Sequence, residues 1–228
     1  MEACQLVVSS RNRDKLGELS ALLRQLPLDV ISAADAGVPD VEETGETFLD
    51  NALLKAAEAW RVSGGPTLAD DSGLEVLALD GAPGVYSARF AGEDVTYEDN
   101  NRKLIEVLSG VPRESRGASF VCTLALLVPE AWAVEPGDGA TWRRESHPDC
   151  PPGAALYVVE GRVHGEITEA AAGDAGFGYD PLFYFPPSGC TFAEISREEK
   201  NSVSHRGQAL RGLRDCLSAM GAAGTQSG

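Results

Sequence analysis

The sequence predicts a fold built of both strands and helices, because strand-length apolar runs are followed by apolar residues at helical spacing and because capping residues mark where helices begin. The opening shows both signals. Leu6-Val7-Val8-Ser9-Ser10 reads as a short buried strand, and Leu16, Leu19, Leu22, Leu23 and Leu26 then recur at helical spacing. Thr47-x-x-Asp50 and Thr96-x-x-Asp99 have the form of capping boxes ahead of two further apolar helix faces. At 228 residues the chain is long enough for one large domain or two small lobes with a real core.

Composition narrows the class. Hydrophobic residues make up 43% and charged residues 24%, the balance of a globular protein, which excludes disorder of the whole chain. The five cysteines are scattered, odd in number and without a C-x-x-C pair, which points to reduced packing thiols in the cytoplasm and to neither a zinc site nor a disulfide framework. Met1 to Gln5 shows no export signal and no apolar run is long enough to span a membrane, so no membrane is expected. Nineteen Lys and Arg against 35 Asp and Glu give a net charge of −16, which repels nucleic acid polymers over most of the surface. Attraction for a polyanion must then be local, and Arg197, Lys200, Arg206, Arg211 and Arg214 are concentrated near the C-terminus.

Taken in order, the first strand and helix are joined by Ser10-Arg11-Asn12-Arg13-Asp14-Lys15, a polar turn where helix N–H groups and the dipole favour an anion, or a simple N-cap with solvated arginines. Asp29 to Ala33 is a second strand. The acidic turn Val41-Glu42-Glu43-Thr44-Gly45-Glu46 precedes a helix whose apolar face holds Phe48, Leu49, Ala52, Leu53, Ala56 and Trp60. Its charge either complements the helix dipole or supplies a glutamate that shares a divalent cation with Asp71. Lys55 on the same helix is either functional or a snorkelling lysine.

Ala69-Asp70-Asp71-Ser72-Gly73-Leu74 is the most informative stretch. As a strand end it would point its two carboxylates to opposite faces, one structural and one free for magnesium-dependent phosphoryl or nucleotidyl chemistry. As a turn, its Asp and Ser would satisfy local backbone. Beyond it, Asp80 to Phe90 is a Gly/Pro loop carrying Arg89, and Leu104, Val107 and Leu108 form the inner face of a third helix stopped at Gly110. Ala118 to Val128 and Ala155 to Val163 are long antiparallel strands, joined by a hairpin insertion at 129–153 whose His147 and Cys150 lack the ligand partners of a metal site.

Gly173 to Phe183 is a glycine-rich loop in which Phe177 either stacks on a base or turns into the core. Ser196-x-x-Glu199 caps a short helix ending near Asn201. Ser204-His205-Arg206 opens the last helix with two basic residues in its first turn, a poor match to the dipole unless an anion sits there. The segment 220–228 reads as a flexible tail.

Six segments in this order resemble the inosine triphosphate pyrophosphatase family: S-x-N-x-x-K at Ser10 to Lys15, EETGETF at Glu42 to Phe48, ADDSGLEV at Ala69 to Val76, GAPGVYSARF at Gly81 to Phe90, GFGYDPLF at Gly176 to Phe183 and SREEKNSVSHRGQAL ending at Leu210. The resemblance implies an α/β fold, a long twisted mixed sheet flanked by helices, in two lobes with a central nucleotide cleft. It also implies one catalytic domain over 1–219, a homodimer, and hydrolysis of ITP, dITP and XTP to the monophosphate and pyrophosphate. By the same resemblance Asp71 is the general base and, with Glu42, a ligand of Mg²⁺. Ser10, Asn12, Lys15, Lys55 and Ser72 stand at triphosphate positions. Phe177, Gly178, Tyr179, Asp180, Lys200, His205 and Arg206 stand at base and nucleoside positions. Arg11, where the family usually has a small residue, and the long insertion are departures. The rival readings are a phosphoaspartyl phosphatase, whose D-x-D spacing is missing, and a non-catalytic nucleotide sensor.

Overall fold

The computed structural model describes residues 5–10 and 29–224, with side chains to 221. The chain divides into two compact units, one of Met1–Asp71, Thr123–Glu160 and Ala209–Gly228, the other of Ser72–Cys122 and Gly161–Gln208. Among the described residues, eight strands follow the hydrogen-bonded order β2-β1-β3-β4-β6-β7-β8, with β5 added on β6.

In the first unit, β1 (Gln5–Ser9) is apolar and β-branched in its middle, and it lies parallel to β2 (Asp29–Ser32) on one side and to the start of β3 (Thr67–Val76) on the other. Parallel neighbours need crossovers. The crossover into β3 is made by α1 (Phe48–Ser63), which begins where its capping box predicts: Thr47 accepts from the Asp50 N–H and the Asp50 carboxylate accepts from the Thr47 N–H. The helix ends at Gly64, whose N–H reaches the Trp60 carbonyl. Its Ala52, Leu53 and Ala56 pack with Ala69 of β3, Ala125 and Leu127 of β4 (Gly117–Pro129), and Leu156 and Val158 of β6 (Ala154–Ile167). Small side chains let this helix lie close to the sheet.

The connection from β4 to β6 is the predicted insertion, and it adds one element that the sequence did not announce. β5 (Trp142–Glu145) pairs antiparallel with β6, Trp142 opposite Val159 and Glu145 opposite Leu156. Trp142 is buried edge-on against Tyr157, and the Tyr157 hydroxyl both accepts from the Val134 N–H and donates to the Val134 carbonyl.

The second unit has an aromatic core. Phe120 of β4, Phe183 and Phe185 of β7 (Phe183–Phe185) and Phe192 beyond β8 (Cys190–Thr191) pack with Leu74, Val76, Leu104 and Leu108. Fully burying each such side chain contributes about 1.5–3 kcal/mol. α2 (Tyr97–Val107) carries the second complete capping box, Thr96 with Asp99. α3 (Arg197–Val203) is capped from one side only: Ser196 accepts from the Glu199 N–H, while the Glu199 carboxylate takes the Ser188 hydroxyl. α4 runs His205–Gly224, helical well into the stretch read as a tail.

The long strands predicted at Ala118 and Ala155 are β4 and β6. Ile167 N–H reaches the Arg116 carbonyl at one end, and Glu130 N–H reaches the Gly153 carbonyl at the other, which fixes opposite directions. The helix predicted from Leu16, together with Arg11, Asn12 and Lys15, lies outside the described residues.

Candidate active site

The stretch at 69–73 is neither a turn nor a strand end: it is the middle of β3, and Asp70 and Asp71 are both buried, at 1% and 5% exposure. Carboxylates at strand-interior positions contradict β-propensity, so their tertiary partners must hold them there. The partners come from α1, which presents two polar residues, Asn51 and Lys55, on its otherwise apolar buried face. They are four apart and so lie one above the other. The Asn51 amide donates to Asp71 Oδ2 at 3.1 Å. The Lys55 ammonium donates to the Asp70 carbonyl and pairs with Glu43 at 2.7 Å.

Lys55 is therefore no snorkelling surface lysine; it is 5% exposed and sits among acids. Burial works against its charge, but Asp70, Asp71 and Glu43 together outweigh burial and hold the ammonium above its ordinary pKa. The same helix organises the acidic turn. Asn51 Oδ1 accepts from the Gly45 N–H at 2.7 Å. A Cβ on Gly45 would come within 2.5 Å of the Asp50 Cβ, so only glycine lets the turn lie this close. Glu43 thus faces Lys55, while Glu42 is exposed. Ser10, at the end of β1, is half-buried.

A second group is built in the other unit around Phe177. This ring is half-buried and stays out of the core. Lys200 Nζ lies 4.8 Å from its centroid and the Arg206 guanidinium carbon 5.5 Å, both cations being almost fully buried. His205 stacks on Phe120, 4.8 Å between centroids and 12° between planes, so the first turn of α4 presents buried cationic or N–H-bearing groups. Ser72 is half-buried.

Two members of the predicted set have structural roles. Asp180 is 2% exposed and its Oδ2 accepts from Lys200 at 2.6 Å and from the Phe177 N–H at 2.8 Å. It shapes the loop, and Gly176, with φ +77°, has no room for a Cβ beside that oxygen. Tyr179 is 5% exposed, burial pushes its phenol well above the ordinary value, and its hydroxyl donates to the Ser87 carbonyl at 2.9 Å. Gly178 contributes backbone, its carbonyl accepting from Asn101 at 3.0 Å.

Sequence reasoning missed Asn51, Glu43 and Asn101. The signal for Asn51 was available, since a polar residue one turn before Lys55 on an Ala/Leu face is out of place unless it has a buried partner. Among the described residues no group of three or more His, Cys, Asp and Glu is arranged to hold a metal, and no helix is long and apolar enough to cross a membrane.

Comparison with known proteins supplies the rest. Residues 6–216 match the Ham1 family. A Geobacter sulfurreducens protein named dITP/XTP pyrophosphatase is 46% identical over 218 residues, covering 95% of this chain and 98% of that protein. An Escherichia coli K12 protein of the same name is 44% identical over 213 residues, covering 93% and 98%. A solved HAM1 protein from Coxiella burnetii superimposes with a TM-score of 0.78 at 40% identity, covering 94% of this chain and 98% of that one. With sequence and fold both matched over more than nine-tenths of its length, this chain belongs to the Ham1 family.

Proposed function

We propose that this protein hydrolyses deaminated purine nucleoside triphosphates, ITP, dITP and XTP, to the monophosphate and pyrophosphate. The observation that carries the proposal is Asp71 held by Asn51 in the interior of β3, within a chain that matches named dITP/XTP pyrophosphatases over nearly its whole length. In this reading the first group of residues handles the triphosphate and the Phe177 group handles the purine.

Asp71 takes a proton from water, whose oxygen forms the new bond to phosphorus, and pyrophosphate leaves with the electrons of the broken anhydride bond. Asn51 keeps the carboxylate oriented during that transfer. Mg²⁺ is the proposed cofactor: such an ion typically takes one or two carboxylates plus substrate phosphates and water, and Asp71 and the exposed Glu42 are hard oxygen donors of that type. When bound, it neutralises charge on the non-bridging oxygens and the leaving group. Ser10, Ser72, Asn12 and Lys15 are proposed to contribute polar contacts to the phosphates. Lys55 acts less directly, balancing the acids around Asp71.

Selectivity follows from donor chemistry. The Phe177 group offers N–H donors from Lys200, His205 and Arg206, and its one carboxylate, Asp180, already accepts from Lys200 and the Phe177 backbone. A purine 6-oxygen accepts from such donors, whereas the 6-amino group of adenine sets donor against donor, which polar sites reject strongly. His205→Ala and Arg206→Ala should each lower the ITP:ATP ratio of kcat/KM by about tenfold or more, the scale of one lost charged hydrogen bond. Unchanged ratios in both variants would contradict this assignment. The enzyme is further proposed to be a cytoplasmic homodimer, checked by light scattering on the purified protein, where a monomeric mass would contradict it.

A further inference from the structure

We propose that the first turns of α2 belong to the purine-recognition machinery, with Asn101 as a positioning residue and Tyr97 as an aromatic extension of the Phe177 surface. The inference rests on the reading that Phe177 stacks on the base.

Tyr97 and Asn101 are four apart on α2 and so share one face of the helix. Between them they reach two consecutive residues of the glycine-rich loop. The Tyr97 ring lies 6.0 Å from that of Phe177 at 38°, and the Asn101 amide donates to the carbonyl of the next residue, Gly178. The ring geometry decides what Tyr97 can do. A base held between two rings needs them parallel and about 7 Å apart, twice the ~3.4 Å stacking distance, so Tyr97 and Phe177 do not form a sandwich. They form a continuous tilted surface, Tyr97 bracing Phe177 and widening it, and Tyr97 is 42% exposed although it touches this ring.

Asn101 fixes the chain on the other side of Phe177. The Phe177 N–H is tied to Asp180 and the Gly178 carbonyl to Asn101, so the backbone on both sides of the Phe177 side chain is anchored. Without Asn101, the glycine that follows Phe177 is free to turn and the ring loses its fixed direction. Asn101 is poorly explained as a packing residue. Its Oδ1 is buried and has no hydrogen-bond partner among the described residues, an arrangement that costs stability and that Leu would remove. A residue kept at that cost is explained by the orientation it gives to Phe177 and Gly178.

The test compares Asn101→Leu, Tyr97→Ala and Tyr97→Phe with wild type, measuring ITP kinetics, IMP binding by calorimetry and inhibition by pyrophosphate, which has no base. Asn101→Leu and Tyr97→Ala should each raise the KM for ITP and the Kd for IMP by about fivefold or more, the scale of a weakened stacking contact, with kcat and the pyrophosphate inhibition constant held. Tyr97→Phe, which keeps the ring, should recover IMP affinity. Tyr97 is partly exposed, so its variants test the proposal even if Asn101→Leu unfolds. Equal losses for IMP and pyrophosphate, or IMP binding unchanged in Tyr97→Ala, would overturn the proposal while leaving the pyrophosphatase reading intact. A wild-type protein that neither turns over ITP nor binds IMP would overturn both.

Discussion

Lys55 shows how much of this site is electrostatic architecture. Its ammonium is surrounded by Glu43, Asp70 and Asp71, and removing it takes a buried positive charge away from them. Lys55→Met should destabilise the fold by about 3–5 kcal/mol, the cost of breaking a buried pair from one side, measured by urea denaturation at neutral pH. Because the Lys55 pKa is raised in the folded state, its contribution is full below the ordinary lysine value of 10.5 and disappears as pH rises through the folded value. The stability difference between wild type and Lys55→Met should therefore shrink only in strong alkali. Asp71→Asn keeps the shape but not the base, and should lower kcat by about 10²–10⁴-fold, the usual worth of a general base, while ITP still binds. A variant that retains turnover would remove Asp71 from its role. The Asp-Asp pair itself was visible in the sequence as chemistry, yet its placement mid-strand was not. Two aspartates and a serine argue against strand interior, and Asn51 and Lys55, brought over by a helix, help make that placement tolerable.

At the scale of elements, α1 is the organiser. Its N-terminal turn caps the helix, receives the acidic turn through Gly45, and meets the insertion, where His147 Nε2 lies 3.2 Å from Asp50 Oδ1. His147 Nδ1 accepts from the Asp149 N–H, so in the neutral ring Nε2 is the nitrogen that carries the proton toward Asp50. The Thr47 hydroxyl holds the Asp50 carboxylate below its ordinary value; burial opposes this, while the Thr47 N–H and His147 add to it. The lowered value means that the cap stabilises the fold above the ordinary carboxylate value of 3.8 and is lost as pH falls through the folded one. Urea midpoints of wild type and Asp50→Asn should accordingly converge in acid. Capping boxes at Thr47 and Thr96 were legible because a cap is a local event, settled within four residues. β5 was not legible, since its four residues carry three charges and only Trp142 turns inward, toward a tyrosine distant in sequence. Tyr157→Phe, which removes the hydroxyl clamp on Val134, should cost about 1–3 kcal/mol with ITP turnover unchanged. A loss of turnover would mean that the insertion takes part in catalysis.

For the whole molecule, six co-ordered segments marked the family, and the match over residues 6–216 agrees with them. Among the described residues, four of the segments supply two groups of side chains, one around Asp71 and Lys55 and one around Phe177, and within them Tyr179 and Asp180 hold the loop through hydrogen bonds of their own. Motif membership could not separate those roles, because a residue that holds a loop is as constrained in identity as one that touches a ligand. The measurement that tests the central claim most directly is product analysis of ITP incubated with the purified protein and Mg²⁺, with pyrophosphate and orthophosphate assayed separately. The account predicts IMP and pyrophosphate in equal amounts, with little product from ATP. IDP with orthophosphate, or tight binding of ITP with no product at all, would contradict it.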